Sequence, residues 1–150
     1  RTVRAVNGVT VTITTTPALK HIIDEGCVLD PKFAGDLTNM DSGIRYVISE
    51  LRKHPFSRRA IILNSNQYYD LPFAEGRFAC FIFLHFLARP YQYKTNIPAL
   101  DLIISQRSLD VEKAYQDLKF FGHICRRIEP EVGMDVDKII WNIGSLHYEI

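Results

Sequence analysis

Cys80, Arg107 and the pair Arg58-Arg59 are the residues whose chemistry goes furthest beyond packing. A thiol becomes a nucleophile when nearby positive charge stabilises its thiolate. Guanidiniums hold phosphates and carboxylates through parallel N–H donors. Ser57-Arg58-Arg59 lies between a helical pattern and a short apolar run, a boundary where paired guanidiniums suit anion binding. Gln106-Arg107-Ser108 closes the apolar run LDLIIS; Arg and Ser side by side can both donate to one phosphate, and Gln can read an amide edge. Cys80 stands in an aromatic run, where a thiol without cationic neighbours is simply a small hydrophobe. Plainer readings stay open for all three: a solvated cation pair, a polar turn and a core cysteine. On their own His85 and His147 read as structural. No ligand spacing for a metal, no P-loop and no GxGxxG is present.

These residues need elements to hold them. Val9 to Thr15 alternates Val or Ile with Thr, a half-buried strand, and Asn7-Gly8 ahead of it predicts a tight turn. Pro17 opens a short helix through Ile23, and Gly, Pro, Asp and Asn between residues 26 and 43 predict a loop. Asp41-Ser42 offers an N-cap for a helix carrying Ile44, Val47, Ile48 and Leu51, which runs to Lys53 before Pro55 stops it. Ala60 to Leu63 and Leu100 to Ser105 predict strands, with a loop from Asn64 to Gly76. Phe78 to Ala88, apolar on both faces, fits a buried strand or a buried helix, and its Phe content and flanking Gly76 and Pro90 favour the strand. Asp110 to Ile128 predicts a helix with Ala114, Leu118, Phe121, Ile124 and Ile128 as its apolar stripe. Val136 to Trp141 and Leu146 to Ile150 predict two further strands. Long buried strands with two substantial helices make an α+β fold.

The whole chain is compatible with one domain. Its 150 residues can bury a real core, and a hydrophobic fraction of 47% excludes a disordered chain. A net charge of +1 argues against binding a nucleic-acid polymer but leaves room for a local phosphate pocket. Three cysteines without CxxC spacing predict neither a disulfide framework nor a zinc ribbon, and a reduced, cytoplasmic setting is expected. The longest apolar run, from Phe78 to Ala88, is far short of the roughly 18 residues that span a bilayer, so no membrane association is expected. Arg1 rather than Met opens the sequence, and a trimmed or partial product is expected.

Taken in order, these pieces resemble the thymidylate synthase and deoxycytidylate hydroxymethylase family. MDSGIRYVISELRKHPFSRRAIIL, from Met40, is similar to the family's helix, N-P-x-S-R-R segment and strand. ACFIFLHF, from Ala79, resembles its P-C-H-x-x-x-Q-F strand, with Cys80 and His85 at the spacing of the family's nucleophile and Gln. SQRSLDV, from Ser105, matches Q-R-S-x-D-V, and VGMDVDKIIWNIGSLH, from Val132, resembles V-G-D-F-V-W-x-x-G-D-x-H. The resemblance covers roughly residues 40 to 150. Ala79, Phe81, His85 and Glu149 stand where the family has Pro, His, Gln and Tyr.

The resemblance implies a thymidylate-synthase-like α+β fold, a mixed sheet packed by helices, with one sheet face forming a homodimer interface. The family's N-terminal Arg-bearing loop has no clear counterpart, and its C-terminal strands are missing. It implies Cys80 as the nucleophile that adds to C6 of a pyrimidine nucleoside monophosphate. Arg107 and Ser108 become phosphate ligands, and Arg58 and Arg59 reach the partner's phosphate across the dimer. Gln106 and Asp110 lie near base and folate, and His147 near the sugar. The base-reading position falls at Asp117 or Leu118; a segment one residue shorter than usual selects Asp117, whose carboxylate can accept from a cytosine amino group. Ile22-Ile23-Asp24-Glu25 is similar to the I-I-x-E that carries the family's general acid/base, which implies Glu25. The implied reaction is C5 methylation or hydroxymethylation with 5,10-methylenetetrahydrofolate. The alternative is a homologue without turnover, serving as a nucleotide-binding or structural dimer subunit.

Overall fold

A computed structural model describes residues 3–14, 34–64, 81–89 and 98–149, with side chains described from Met40 onward in the second segment. Five strands and two long helices make up the described residues: β1 (Val3–Thr14), α1 (Ala34–Lys53), β2 (Ile61–Leu63), β3 (Phe81–Arg89), β4 (Ala99–Asp110), α2 (Ala114–Val132) and β5 (Val136–Glu149). A short 3₁₀ turn, Val111–Lys113, links β4 to α2.

The strands form one mixed sheet in the order β1-β5-β4-β3-β2. All neighbours are antiparallel except β4 and β5, which run parallel. Parallel neighbours cannot be joined by a hairpin, and α2 supplies the crossover. Both helices lie on one face of the sheet. Met40, Ile44, Val47 and Leu51 of α1 and Phe121, Ile124 and Ile128 of α2 are buried there against Ile62, Leu84, Leu102, Ile104, Ile139 and Trp141. The two helical sets recur at three- and four-residue steps and the strand sets at two-residue steps, the periods the two backbones require. The other sheet face carries Ile61, Phe83, Leu87, Ile103 and Ile140, half-buried, with no described helix over it.

Several boundaries differ from the sequence expectations. Asn7-Gly8 does not turn: Gly8 takes a φ of 69°, open to glycine, and β1 runs straight through it. The helix expected from Asp41 already exists at Ala34, and the buried Met40, which precedes the expected cap, belongs to its apolar stripe. Asp41 is therefore no cap but a partner for Arg45 and Arg127. β4 continues through Gln106-Arg107-Ser108 to Asp110, and β5 is one strand rather than two. Continuity of β5 depends on Gly144, where a Cβ would lie 2.7 Å from the Arg107 carbonyl oxygen. The expected helix from Pro17 to Ile23 and nearly all of the expected loop from Asn64 lie outside the described residues.

Candidate functional site

Gln106 is the one buried polar residue among the described residues, 2% exposed, on the helix-covered face near the end of β4. Burial of an amide demands that each of its donors and acceptors find a partner. Its Oε1 accepts from Trp141 Nε1 at 2.8 Å. Its Nε2 donates to the Ser108 carbonyl oxygen at 2.8 Å and to Asp117 Oδ2 at 3.0 Å. The indole N–H can only donate, so it fixes which end of the amide is oxygen and leaves the NH₂ facing Asp117. Four aromatic rings wall this network. Phe81 packs against Phe120 and Phe121, with centroids 6.2 and 6.3 Å away, and Phe121 meets Trp141 edge-on at 5.7 Å.

The opposing strand is irregular at the same level. Phe81 pairs with Gln106 but Phe83 pairs with Ser105, so Ile82 is an extra residue and its side chain is exposed. Such a bulge bends a strand and re-aims its side chains. Asn64 pins it from both sides. Its backbone N–H donates to Ile82 O at 3.0 Å, and its Nδ2 donates to Phe81 O at 3.0 Å.

Further along the same sheet end, Ser108 pairs with Ser145 and Asp110 with His147 in the β4–β5 ladder. Ser145 Oγ and His147 Nε2 lie 2.9 Å apart. Asp110 Oδ1 accepts from the Glu112 N–H at 3.1 Å, capping the 3₁₀ turn that leads into α2. Gln106, Ser108, Asp110, Asp117 and His147 are thus gathered at one end of the sheet. Arg107 belongs to the same strand but is exposed, and strand alternation turns it away from Gln106 toward the other face.

Arg58 and Arg59 are elsewhere. They are exposed in the connection between α1 and β2. Ser57 Oγ donates to Glu50 Oε1 at 2.7 Å and accepts from the Arg59 N–H at 3.1 Å. Tyr46 donates its hydroxyl to Arg59 O at 3.1 Å, and His85 Nε2 lies 3.0 Å from Arg58 O, an acceptor that calls for the Nε2–H tautomer. The loop backbone is thereby fixed while both guanidiniums stay exposed. Phe86 N–H donates to Ala60 O, and Phe86 pairs with Leu102, so the loop sits four residues, about 13 Å, along β4 from Gln106. Within one chain the arginine pair and the Gln106 cluster are separate.

Cys80 and Glu25 lie outside the described residues. Phe81, which follows Cys80 in sequence, is the residue opposite Gln106. Cys125 is fully buried in α2, and burial pushes its thiol far above the usual range, so it is an inert core residue. Among the described residues no group of three or more His, Cys, Asp and Glu side chains is placed to hold a metal ion. None of the described helices is long and apolar enough to cross a membrane. Sequence reasoning misses two positioning residues: Trp141, to which its motif assigns no role, and Asn64, whose only signal is a polar side chain directly after an apolar strand.

No protein-family model matches the chain, and no curated protein matches it. Solved structures do. The crystal structure of thymidylate synthase from T4 phage superposes with a TM-score of 0.66 at 17% identity, covering 97% of this chain and 68% of that one. At such low identity the likeness speaks for the path of the backbone. The chain has a thymidylate-synthase-like α+β fold.

Proposed function

We propose that the chain is a pyrimidine nucleoside monophosphate C5 one-carbon transferase. The observation that carries this reading is the Gln106–Asp117 hydrogen bond within a thymidylate-synthase-like fold. It joins, in space, the two residues that the motif resemblance gave separately to the neighbourhood of the base. An oriented carboxylate at Asp117 suits a cytosine, whose exocyclic amine donates.

In this reading the Cys80 thiolate adds to C6 of the ring, and C5 becomes enolate-like and nucleophilic. C5 then takes one carbon from 5,10-methylenetetrahydrofolate as co-substrate. Hydride transfer would end in a methyl group and water attack in a hydroxymethyl group. Ser108 holds the phosphate from the Gln106 side, and Arg107 must swing its long, exposed side chain back around β4 to join it. His147 holds the sugar, and Glu25 moves the proton. Asp110, half-buried at the end of β4, offers the acceptor chemistry that the N–H groups of a pterin need. Arg58 and Arg59 serve the partner's phosphate. Their distance from Gln106 within one chain supports a homodimer built on the open sheet face, where Phe83, Leu87, Ile103 and Ile140 would be covered.

One observation favours the alternative, a dimer subunit that binds nucleotide without turnover. Phe81 stands where the family has His and is buried among phenylalanines, unable to exchange a proton. Release of tritium from C5-labelled dCMP and dUMP in the presence of methylenetetrahydrofolate separates the two. The transferase reading expects release that Cys80→Ala abolishes. Nucleotide binding without any release from either substrate would favour the silent subunit instead. Arg58→Ala and Arg59→Ala should each weaken nucleotide binding while leaving the melting temperature unchanged.

A further inference from the structure

A second concentration of charge lies far from the Gln106 cluster. Near the last turns of α1 and α2 the two helices enclose an open groove of about 850 Å³. Arg45, Arg52, Lys53, Arg126 and Arg127 line it, against the single lining carboxylate of Glu131. Asp41 adds one more negative charge by bridging Arg45, at 2.6 Å, and Arg127, at 2.7 Å. Five cations thus meet two carboxylates around this groove, on a chain whose net charge is only +1.

Part of this charge has a structural use. Arg52 pairs with Glu131 and donates Nε to the Glu131 carbonyl oxygen at 2.8 Å, which satisfies a backbone acceptor near the end of α2. Cations at helix C-termini also oppose the negative end of each helix dipole. Neither use requires five cations in one groove. The Asp41 carboxylate shows what the arrangement does to an anion. Guanidiniums from two different helices converge on its two oxygens, as they would on adjacent oxygens of a phosphate. Ile48 and Pro130 add an apolar lining, and the groove has the size of a small-molecule site.

We propose that this groove binds an oligophosphate chain, the diphosphate or triphosphate of a nucleotide, with its ring against Ile48 and Pro130. The site is separate from the candidate active site. Arg127 lies ten residues along α2 from Asp117, about 15 Å of helix. It does not depend on the proposed transferase activity.

Titration calorimetry on the full chain at low salt, with inorganic triphosphate and with ATP, tests the proposal. It expects one binding event per chain, weakened at least tenfold by Arg45→Glu and by Lys53→Glu and falling as salt is raised. Both variants are exposed substitutions, and circular dichroism checks that they fold. Tighter binding of ATP than of triphosphate supports the ring contact with Ile48 and Pro130; equal affinity overturns that contact and assigns the groove to the phosphate chain alone. Cys80→Ala and Arg58→Ala should leave this binding intact. No binding of either probe, full affinity in the folded Arg45→Glu and Lys53→Glu proteins, or loss of binding in Arg58→Ala would overturn it.

Discussion

Helix α2 is fastened at its two ends by opposite kinds of chemistry. At its first turn Asp117 accepts from Gln106, a buried, uncharged hub that also takes the Trp141 indole N–H. At its last turns Arg127 reaches Asp41 and Glu131 meets Arg52, an exposed hub built from full charges. By Coulomb's law alone the charged end would be the stronger. Water reverses the order, because it screens exposed ions and competes for their hydrogen bonds, whereas a buried group that loses its partner has nothing to replace it. The end of α2 that carries the candidate site should therefore also be the end that carries stability.

Gln106→Leu tests this most severely. The volume is nearly kept, but the Trp141 N–H loses its acceptor and the Asp117 carboxylate loses one hydrogen bond. We expect a loss of about 2–4 kcal/mol in urea denaturation. A midpoint equal to that of the parent protein would break the contrast outright.

Gly144→Ala probes the same end through the backbone. A Cβ there falls 2.7 Å from the Arg107 carbonyl oxygen, an atom that cannot swing aside. Strands β4 and β5 must separate locally, at about 1–3 kcal/mol, and Arg107 moves with them. Loss of stability with unchanged nucleotide binding would show that Arg107 is not part of the site.

Much of this end was legible in the sequence. Motif order points to Gln106, Ser108, Asp110, Asp117 and His147, which the structure gathers at one end of the sheet, and to Arg58, Arg59 and Arg107, which it does not. The apolar periods of α1 and α2 are equally plain, because burial on one face leaves a direct trace in residue spacing. The β3 segment, apolar on both faces, shows no period and reads as a strand only through its phenylalanines and flanking Gly76 and Pro90. What escaped depends on contacts between distant segments. Trp141 as the donor that orients Gln106 is set by strand pairing across thirty-five positions. Gly144 reads as a strand break until β4 is seen pressed against it, and Asn7-Gly8 reads as a turn until β5 is seen holding the strand straight. Asp41 looked like a helix cap because its real partner, Arg127, lies eighty-six residues away.

The charged end should respond far less to truncation. Arg127→Ala removes the hydrogen bond to Asp41 from a side chain 37% exposed, and we expect about 0–1 kcal/mol. A double-mutant cycle with Asp41→Asn isolates the pair. A coupling as large as the Gln106→Leu loss would show that the groove between the helices is drier than its exposure implies.

The smallest effect is also the one that separates the two hubs by kind. The amide of Gln106 does not titrate, but Asp41 does. The hydrogen bond from Arg127 and the charges of Arg45 and Arg127 hold its carboxyl below the ordinary value of 3.8, against a smaller opposing pull from burial. A carboxylate whose folded pKa is depressed stabilises the fold fully above its unfolded pKa and loses that contribution as pH falls through the folded one. The urea midpoints of the parent and Asp41→Asn should therefore differ at about pH 6 and converge at a strongly acid pH below the depressed pKa of the folded protein, where the carboxyl takes up its proton. Gln106→Leu measured beside them should stay well below the parent protein at both pH values. If the Asp41→Asn gap persisted in acid, the contribution of Asp41 would have to come from packing rather than charge, and the two ends of α2 would differ in degree only.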